Sequence, residues 1–117
     1  MRVLVCGGRD FADYDAVRAA LDPLYLKTAV DCFAIIQGGA TGADKLAREW
    51  CGNRYVRCYN FPADWKQYGR AAGPLRNAQM IAEGRPDLVL AFPGGRGTAD
   101  MVAKAKAAGI PVQRVSA

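Results

Sequence analysis

Short apolar runs alternate with longer amphipathic segments along the 117 residues of the chain. Runs of four to seven residues bounded by glycine or proline predict strands, and they lie at residues 3–6, 33–36, 55–61, 88–92 and 111–115. Between them, apolar residues recur at the spacing of helices with one buried face. Alternating strands and helices form a parallel sheet with helices on both faces. The pattern therefore predicts an α/β fold, with residues 1–117 as a single doubly wound domain around a five-stranded parallel sheet.

The predicted helices have recognisable ends. Asp13 is expected to cap the first helix, and Thr98 the last. Pro74 suits the first turn of the helix that precedes the fourth strand, and Gly84 is its expected stop. The connection at residues 62–73 is long for so small a domain, and such connections often carry function.

Three glycine-rich turns, at residues 7–10, 38–44 and 93–98, each follow a predicted strand. Glycine lets backbone N–H groups approach a ligand, and the N-terminus of the following helix adds partial positive charge. The carboxyl ends of parallel strands meet at one edge of the sheet, so all three turns are expected there. Three arginines map to the same edge: Arg9, Arg76 and Arg96. This arrangement predicts a site for a small, nucleotide-like anion.

The amino-acid composition narrows the range of possible functions. The net charge of +5 fits an anionic small molecule and a nucleic acid equally well. Histidine is absent, which removes histidine-activated nucleophiles and most zinc sites. There is no G-x-G-x-x-G fingerprint and no P-loop, so ordinary NAD dehydrogenases and P-loop ATPases are poorly supported. We expect no metal and no cofactor.

The cysteines and the hydropathy of the chain indicate its cellular location. The four cysteines form no C-x-x-C pair and are predicted to be buried free thiols: Cys6, Cys32, Cys51 and Cys58. No apolar stretch reaches the roughly 18–20 residues of a spanning helix. The chain begins with a strand-like run and has no signal-peptide layout. A cytoplasmic location without a membrane partner is expected.

Four sequence elements resemble a known superfamily. They are the opening Val-Cys-Gly-Gly-Arg-Asp-Phe, the middle Gly-Gly-Ala-Thr-Gly-Ala-Asp, the Gly-Pro-Leu-Arg-Asn at residues 73–77 and the late Pro-Gly-Gly-Arg-Gly-Thr. Together they resemble the SLOG superfamily, which includes LOG-type cytokinin-activating phosphoribohydrolases and DprA-type DNA-processing proteins. More narrowly, they resemble its YspA/YpsA-related branch, DUF2493. The resemblance spans residues 3 to about 112.

The resemblance implies a Rossmann-like domain that binds nucleotides or nucleotide-derived ligands. Together with the glycine turns, it nominates a set of ligand-binding residues. They are Gly7, Gly8, Arg9, Gly38, Gly39, Ala40, Thr41, Gly42, Asp44, Arg76, Asn77, Pro93, Gly94, Gly95, Arg96, Gly97 and Thr98.

The resemblance also bears on catalysis. LOG-type hydrolases carry an arginine at a place like that of Arg76, and a glutamate three residues after the threonine of P-G-G-x-G-T. Met101 stands at the glutamate position, and the carboxylate is Asp100, one residue and about 100° of helix away. The candidate catalytic residues are Arg76, to hold phosphate, and Asp100, to stabilise a ribosyl cation or activate water. Met101→Glu is expected to restore the family's carboxylate.

Structural explanations for these residues stay open. Residues 7–8 suit a tight turn, Thr41 suits a helix cap, and Asp44 suits the first turn of any helix. Asp100 can equally pair with Lys104, four residues later on the same helix.

We therefore predict a binding domain for an ADP-ribose-like ligand or a nucleoside monophosphate, acting as a sensor, carrier or sequestering protein. The first alternative is a hydrolase of an N-glycosidic bond, against which Met101 argues. The second, less favoured, is a single-stranded nucleic-acid binder that stacks bases on Trp65 and Tyr68. Those two aromatic residues are equally suited to anchoring their own loop. Homo-oligomerisation is left open.

Overall fold

A parallel five-stranded sheet forms the centre of the molecule. The computed structural model describes residues 1–116, apart from the side chain of Val30. The strands run in the order β3-β2-β1-β4-β5, and every neighbouring pair is parallel. Their bounds are β1 (Arg2–Cys6), β2 (Ala34–Gln37), β3 (Arg57–Asn60), β4 (Leu88–Ala91) and β5 (Val112–Arg114). The predicted α/β, Rossmann-like fold is confirmed.

The chain crosses to the other side of β1 after its third strand. It adds β2 and β3 on one side of β1, then returns to place β4 on the other side. Val3 is in register with Ile35 of β2 and with Leu88 of β4. The carboxyl ends of β1 and β4 therefore border the point where the strand order reverses. In open α/β sheets this is where ligands bind.

Helices cover both faces of the sheet. They are α1 (Tyr14–Leu26), α2 (Ala43–Arg54), α3 (Trp65–Tyr68), α4 (Ala72–Gly84) and α5 (Arg96–Ala107). Side chains alternate between faces along a strand, so Val3 and Val5 pack beneath α1 and α2, whereas Leu4 packs beneath α4 and α5. All three are fully buried. This two-sided burial explains why β1 is an uninterrupted apolar run.

An aromatic cluster holds α1 and α2 together. Trp50 packs edge-on against Tyr25 and Phe33, with ring centroids 5.5 and 5.9 Å away. Its indole N–H donates to the carboxylate of Asp22 at 2.9 Å, so the buried donor is satisfied. Arg54 covers the outer face of the indole at 4.7 Å and pairs with Asp22 at 3.1 Å.

The helix α4 ends at Gly84, but the residues that cap α4 and α5 differ from the prediction. Gly84 does not end α4 by adopting a left-handed conformation; Arg85 does so, with φ 51°. Gly84 is buried instead, and a Cβ there would meet the Cδ1 of Ile36 at 3.1 Å. Thr98 does not cap α5, because the N-cap position belongs to Gly95 and Thr98 lies buried in the first turn. Asp13 caps α1 as predicted, accepting from the amide of Ala16 at 3.0 Å.

The connection at residues 62–73 is partly ordered by short helices. Asp64 caps α3 by accepting from the amide of Gln67 at 3.1 Å. A 3₁₀ turn over Gly69–Ala71 then leads directly into α4. The helix before β4 therefore starts at Ala72, two residues before Pro74.

Two of the four cysteines are not buried. Cys6 and Cys51 are buried, but Cys32 and Cys58 are exposed, so the prediction is wrong for these two. Cys58 lies on β3, an edge strand whose four residues are all exposed. None of the helices in residues 1–116 combines the length and apolar character needed to cross a membrane.

Candidate ligand-binding site

A cavity with a volume of about 1040 Å³ opens at the point where the strand order reverses. Its wall is formed by the turns after β1 and β4, the first turns of α4 and α5, and Trp65 of α3. Ligand pockets in proteins typically occupy about 300–1,000 Å³. The cavity is therefore large enough for a nucleotide.

The first and third glycine turns pack directly against each other. The amide of Gly8 donates to the carbonyl of Pro93 at 2.8 Å. A Cβ on Gly94 would lie 2.7 Å from the nitrogen of Gly8, and a Cβ on Gly7 would lie 2.7 Å from the Cβ of Ala43. Glycine is needed at these positions so that the two turns can meet and form the cavity wall.

The middle turn is anchored to the first turn. Gly42 has φ 72°, and a Cβ there would overlap the backbone of Gly8 and Arg9. The next amide, that of Ala43, donates to the carbonyl of Gly8 at 3.2 Å. Thr41 donates its hydroxyl to the carbonyl of Arg9 at 3.2 Å. Gly42 and Thr41 therefore position the turns, and neither lines the cavity.

Gly95 and Gly97 differ from these packing glycines. Both line the cavity, and a Cβ built on either one has no atom of the described residues within 4 Å. They lie at the N-terminus of α5, which no side chain in residues 1–116 caps. The first amides of a helix have no partner within the helix. This end of the cavity therefore combines open space with backbone donors.

Asp44 and Arg76 hold the middle turn from opposite sides. The carboxylate of Asp44 accepts from the amides of Gly38 and Ala40 at 3.0 and 3.3 Å. The guanidinium of Arg76 donates to the carbonyl of Gly38 at 2.7 Å. Gly38 is thus enclosed by these two side chains, and both side chains line the cavity while Gly38 does not.

Burial shifts the pKa of both groups. It raises the pKa of Asp44 above its usual value, although hydrogen bonds from Ala40 and Gly38 and the charge of Arg76 oppose the shift. Burial also lowers the pKa of Arg76, against the attraction of Asp44. Each charge is therefore partly desolvated at the cavity wall, where an added ligand charge is screened less than it would be in water.

Asp100 lines the cavity but is already engaged. Its carboxylate pairs with Lys104 at 2.6 Å and accepts from the amide of Asn77 at 3.0 Å. Partial burial opposes ionisation of Asp100, yet the hydrogen bonds from Lys104 and Asn77 bring its pKa below the usual value. Asn77 also donates to the carbonyl of Gly97 at 3.2 Å, and so ties α4 to the first turn of α5.

Met101 points away from the cavity. It is fully buried against Leu4, Met80 and Val89, under the helices on that face of the sheet. We therefore expect a glutamate at position 101 to lie in the core and not to restore a catalytic carboxylate at the cavity. One residue of helix separates the cavity-facing position 100 from the core-facing position 101.

Cys6 contributes to the cavity wall as a neutral thiol. Burial, reinforced by the nearby charge of Asp44, raises its pKa to about 12, and Arg114 opposes this only in part. A thiol with this pKa is protonated at neutral pH, and the thiolate is the nucleophilic form. Nowhere in residues 1–116 do three His, Cys, Asp or Glu side chains cluster closely enough to hold a metal ion.

Arginine and aromatic side chains surround the cavity. The three predicted arginines, Arg9, Arg76 and Arg96, all line it. The guanidinium of Arg9 lies 5.1 Å from the ring centroid of Trp65, which links the first turn to α3. Tyr68 lies elsewhere, beside a smaller cavity of about 250 Å³.

The structure brings most of the predicted residues together. The cavity is lined by Gly7, Gly8, Arg9, Ala40, Asp44, Arg76, Asn77 and residues 93–98. Four others lie behind the lining: Gly38, Gly39, Thr41 and Gly42. Gly39 has φ 74°, and a Cβ there would meet the side chain of Asn60 at 2.6 Å. These four shape the turn and present only Ala40 and Asp44 to the cavity.

Sequence reasoning missed several residues of the wall. Phe11 lies on one side, its ring centroid 5.3 Å from that of Phe92, and Arg70, Pro74 and Met80 lie on the other. The signal for Phe11 was available, since it directly follows the first glycine turn. Arg70 belongs to the connection at residues 62–73, which the sequence marked as a candidate functional segment, but its place at the cavity depends on the 3₁₀ turn that leads into α4.

Comparison with known proteins places the chain in a family. The sequence model of the family described as "YspA, cpYpsA-related SLOG family" (YAcAr) matches residues 1–68. The chain belongs to this family. The predicted SLOG membership, in the YspA/YpsA-related branch, is confirmed. "Gene 61 protein" of Mycobacterium phage D29 is 37% identical over 118 residues, covering 95% of this chain and 93% of the phage protein.

A solved structure has the same fold as this chain. The X-ray structure of TM1055, a structural-genomics target, superposes with a TM-score of 0.68. The match covers 95% of this chain and 71% of TM1055, at 19% sequence identity. At this level of identity the likeness establishes the architecture alone. The family and the fold together are consistent with nucleotide-related binding or with glycosidase function.

Proposed function

We propose that this protein binds a nucleotide or nucleotide-derived anion in the cavity, as a sensor, carrier or sequestering protein. The observation that carries the proposal is the open space at Gly95 and Gly97, beside the uncapped N-terminus of α5. Backbone amides and the helix dipole favour a phosphate there. The arginines that line the same cavity add positive charge around it.

The rest of the wall suits the other parts of a nucleotide. Trp65 and Phe11 offer aromatic surface for a base. Asp44 and Asn77 bring polar groups to the wall, which suit the hydroxyls of a ribose. A pocket that is partly enclosed and lined by a few polar groups favours a small molecule over an extended nucleic-acid strand.

The hydrogen bonds of Asp44 and Asp100 favour ligand binding over hydrolysis. Asp100 is held by Lys104 and Asn77, and Asp44 is held by two backbone amides. Cleavage of an N-glycosidic bond needs a carboxylate that can reach the anomeric carbon or a water molecule. Three carboxylates line the cavity, Asp10, Asp44 and Asp100, and the last two already have structural roles that such a reaction would disturb.

Thermal unfolding with a ligand panel tests the proposal. Adenosine, AMP, ADP and ADP-ribose at millimolar concentration are expected to separate by phosphate content, with adenosine giving the smallest shift. A ligand at a hundred-fold excess over Kd stabilises the folded state by roughly 2.7 kcal/mol. If no phosphorylated compound raises the Tm, the proposal fails. Steady release of adenine from AMP, lost in Asp100→Asn, would favour the hydrolase instead.

A matched pair of glycine variants tests whether the ligand binds beside the N-terminus of α5. Gly97 and Gly52 are both helical glycines around which a Cβ finds no neighbour among the described residues, but only Gly97 lines the cavity. Gly97→Val should abolish the ligand-induced shift by filling the space beside the α5 amides. Gly52→Val makes the same change on α2 and should retain the shift. Equal shifts in both variants would place the ligand elsewhere.

A further inference from the structure

Cys51 and Cys58 form a thiol pair between the end of α2 and the edge strand β3. Cys58 is in register with Ile35 of β2, and Ile35 and Cys51 belong to the same buried cluster. Cys58 therefore faces α2, on the side of the sheet where Cys51 is buried near the end of that helix. Of the two residues, Cys58 is exposed and Cys51 is buried.

The surroundings of Cys58 stabilise a thiolate. The side-chain amide of Gln37, which is fully buried, donates to the Cys58 sulfur at 3.7 Å. The thiol of Cys51 contributes most to lowering the pKa of Cys58, and Gln37 and the charge of Arg48 add to it. Together they outweigh burial and the charge of Asp44, so this pKa falls to about 7. The interaction with Cys58, together with burial, raises the pKa of Cys51, which keeps its proton.

The donors around Cys58 are held in place by the fold. The carbonyl oxygen of the Gln37 side chain accepts from the amide of Gly39 at 2.6 Å and from Arg48 at 3.0 Å. This orients the Gln37 amide nitrogen toward the sulfur. Arg48 is fixed by a further hydrogen bond to the carbonyl of Ala40 at 3.1 Å. The thiolate site is therefore built from the same side chains that support the middle glycine turn.

We propose that Cys58 is a peroxide-reactive thiol and that Cys51 resolves its oxidised form into an intramolecular disulfide. In the first step the Cys58 thiolate attacks a hydroperoxide, an S–O bond forms, and the O–O bond breaks with release of hydroxide or alkoxide. In the second step the Cys51 sulfur attacks the Cys58 sulfenic acid, the S–S bond forms, and the oxygen leaves as water with the Cys51 proton. The two thiols lose two electrons, and the peroxide takes them up.

Cys32 provides a matched control, because it is also an exposed free thiol but lies in a 3₁₀ turn away from this pair. At pH 7, iodoacetamide should alkylate Cys58 roughly three- to ten-fold faster than Cys32, as measured by peptide mass spectrometry. Gln37→Glu puts a negative charge in place of the amide donor and should slow Cys58 toward the rate of Cys32. Equal rates at the two cysteines in the parent protein would overturn the proposal.

Peroxide treatment tests the second step in a Cys32→Ser background. Stoichiometric hydrogen peroxide should convert the monomer to a species lighter by two hydrogen atoms, with a Cys51–Cys58 linked peptide after proteolysis. Adding Cys51→Ser should instead leave a sulfenic acid on Cys58 that dimedone traps. Disulfide-linked dimers in place of the intramolecular bond, or no dimedone adduct in the Cys51→Ser protein, would overturn it. None of these measurements depends on whether the cavity binds a nucleotide.

Discussion

At the scale of single residues, neighbours along α5 have opposite environments. Asp100 faces the cavity and Met101 is fully buried in the core. A contact between Met101 and a ligand would require the helix to rotate by about 100°. The position that matches the glutamate of LOG-type hydrolases is therefore a core position in this protein.

Met101→Glu is expected to lower the free energy of unfolding by at least about 3 kcal/mol, because it buries a carboxylate without a partner. Met101→Leu keeps the volume and should cost less than about 1.5 kcal/mol. Urea unfolding of the two variants measures both effects. A stable Met101→Glu protein that releases base from AMP would contradict this assignment of position 101 to the core.

Asp44 should give the stability of the protein a distinctive pH dependence. Burial raises its folded-state pKa above the ordinary value of 3.8, so between these two values the folded state binds the proton more tightly than the unfolded state. Stability contributed by this group therefore falls as pH rises through that window, by at most about 1.4 kcal/mol per pH unit. Asp44→Asn keeps a hydrogen-bond acceptor and removes the titration.

The measurement is urea unfolding of the parent and Asp44→Asn at several pH values from 4 to 7. The variant should gain stability relative to the parent as the pH rises, since the other titrating groups are common to both. A difference that stays flat or moves the other way would mean that hydrogen bonds from Gly38 and Ala40, with the charge of Arg76, outweigh burial at Asp44.

At the scale of elements, α4 packs on β2 through a glycine. Gly84 is buried, and a Cβ there would lie 3.1 Å from Ile36. Gly52 of α2 has open space instead. Gly52→Ala should raise the free energy of unfolding by about 0.5–1 kcal/mol, the usual gain for alanine in a helix. Gly84→Ala should raise the free energy of unfolding by less, because its methyl group must displace Ile36. Equal gains for the two variants in thermal unfolding would mean that α4 and β2 leave room for the added methyl group.

The ends of the elements were harder to predict than their existence. All five strands and the four longer helices could be predicted from periodicity, because alternating burial is a local property of the sequence. The residues that cap α4 and α5 could not, since Gly84 and Thr98 have packing roles that periodicity does not show. Gly84 makes room for Ile36 of β2, and Thr98 turns inward beside Gly94.

At the scale of the whole molecule, stability should decrease from the centre of the sheet to the β3 edge. Leu4 and Val5 of β1 are fully buried and the strand is paired on both sides, whereas all four residues of β3 are exposed and the strand has one neighbour. Native-state hydrogen exchange should therefore be slowest in the interior strands β1 and β4 and clearly faster in the edge strand β3. Exchange from β3 as slow as from β1 would indicate that a second chain covers this edge.

The sequence alone determined the order of strands and helices, the two-sided burial of the central strand and the placement of three glycine turns at one edge of the sheet. These features follow from local periodicity and from the geometry of right-handed crossovers. Only the tertiary structure decided which glycines hold the turns together and which face open space, and why Asp100 rather than Met101 reaches the cavity. The physical reason is that β4 inserts beside β1, so residues some 85 positions apart become neighbours, and no local pattern records that contact.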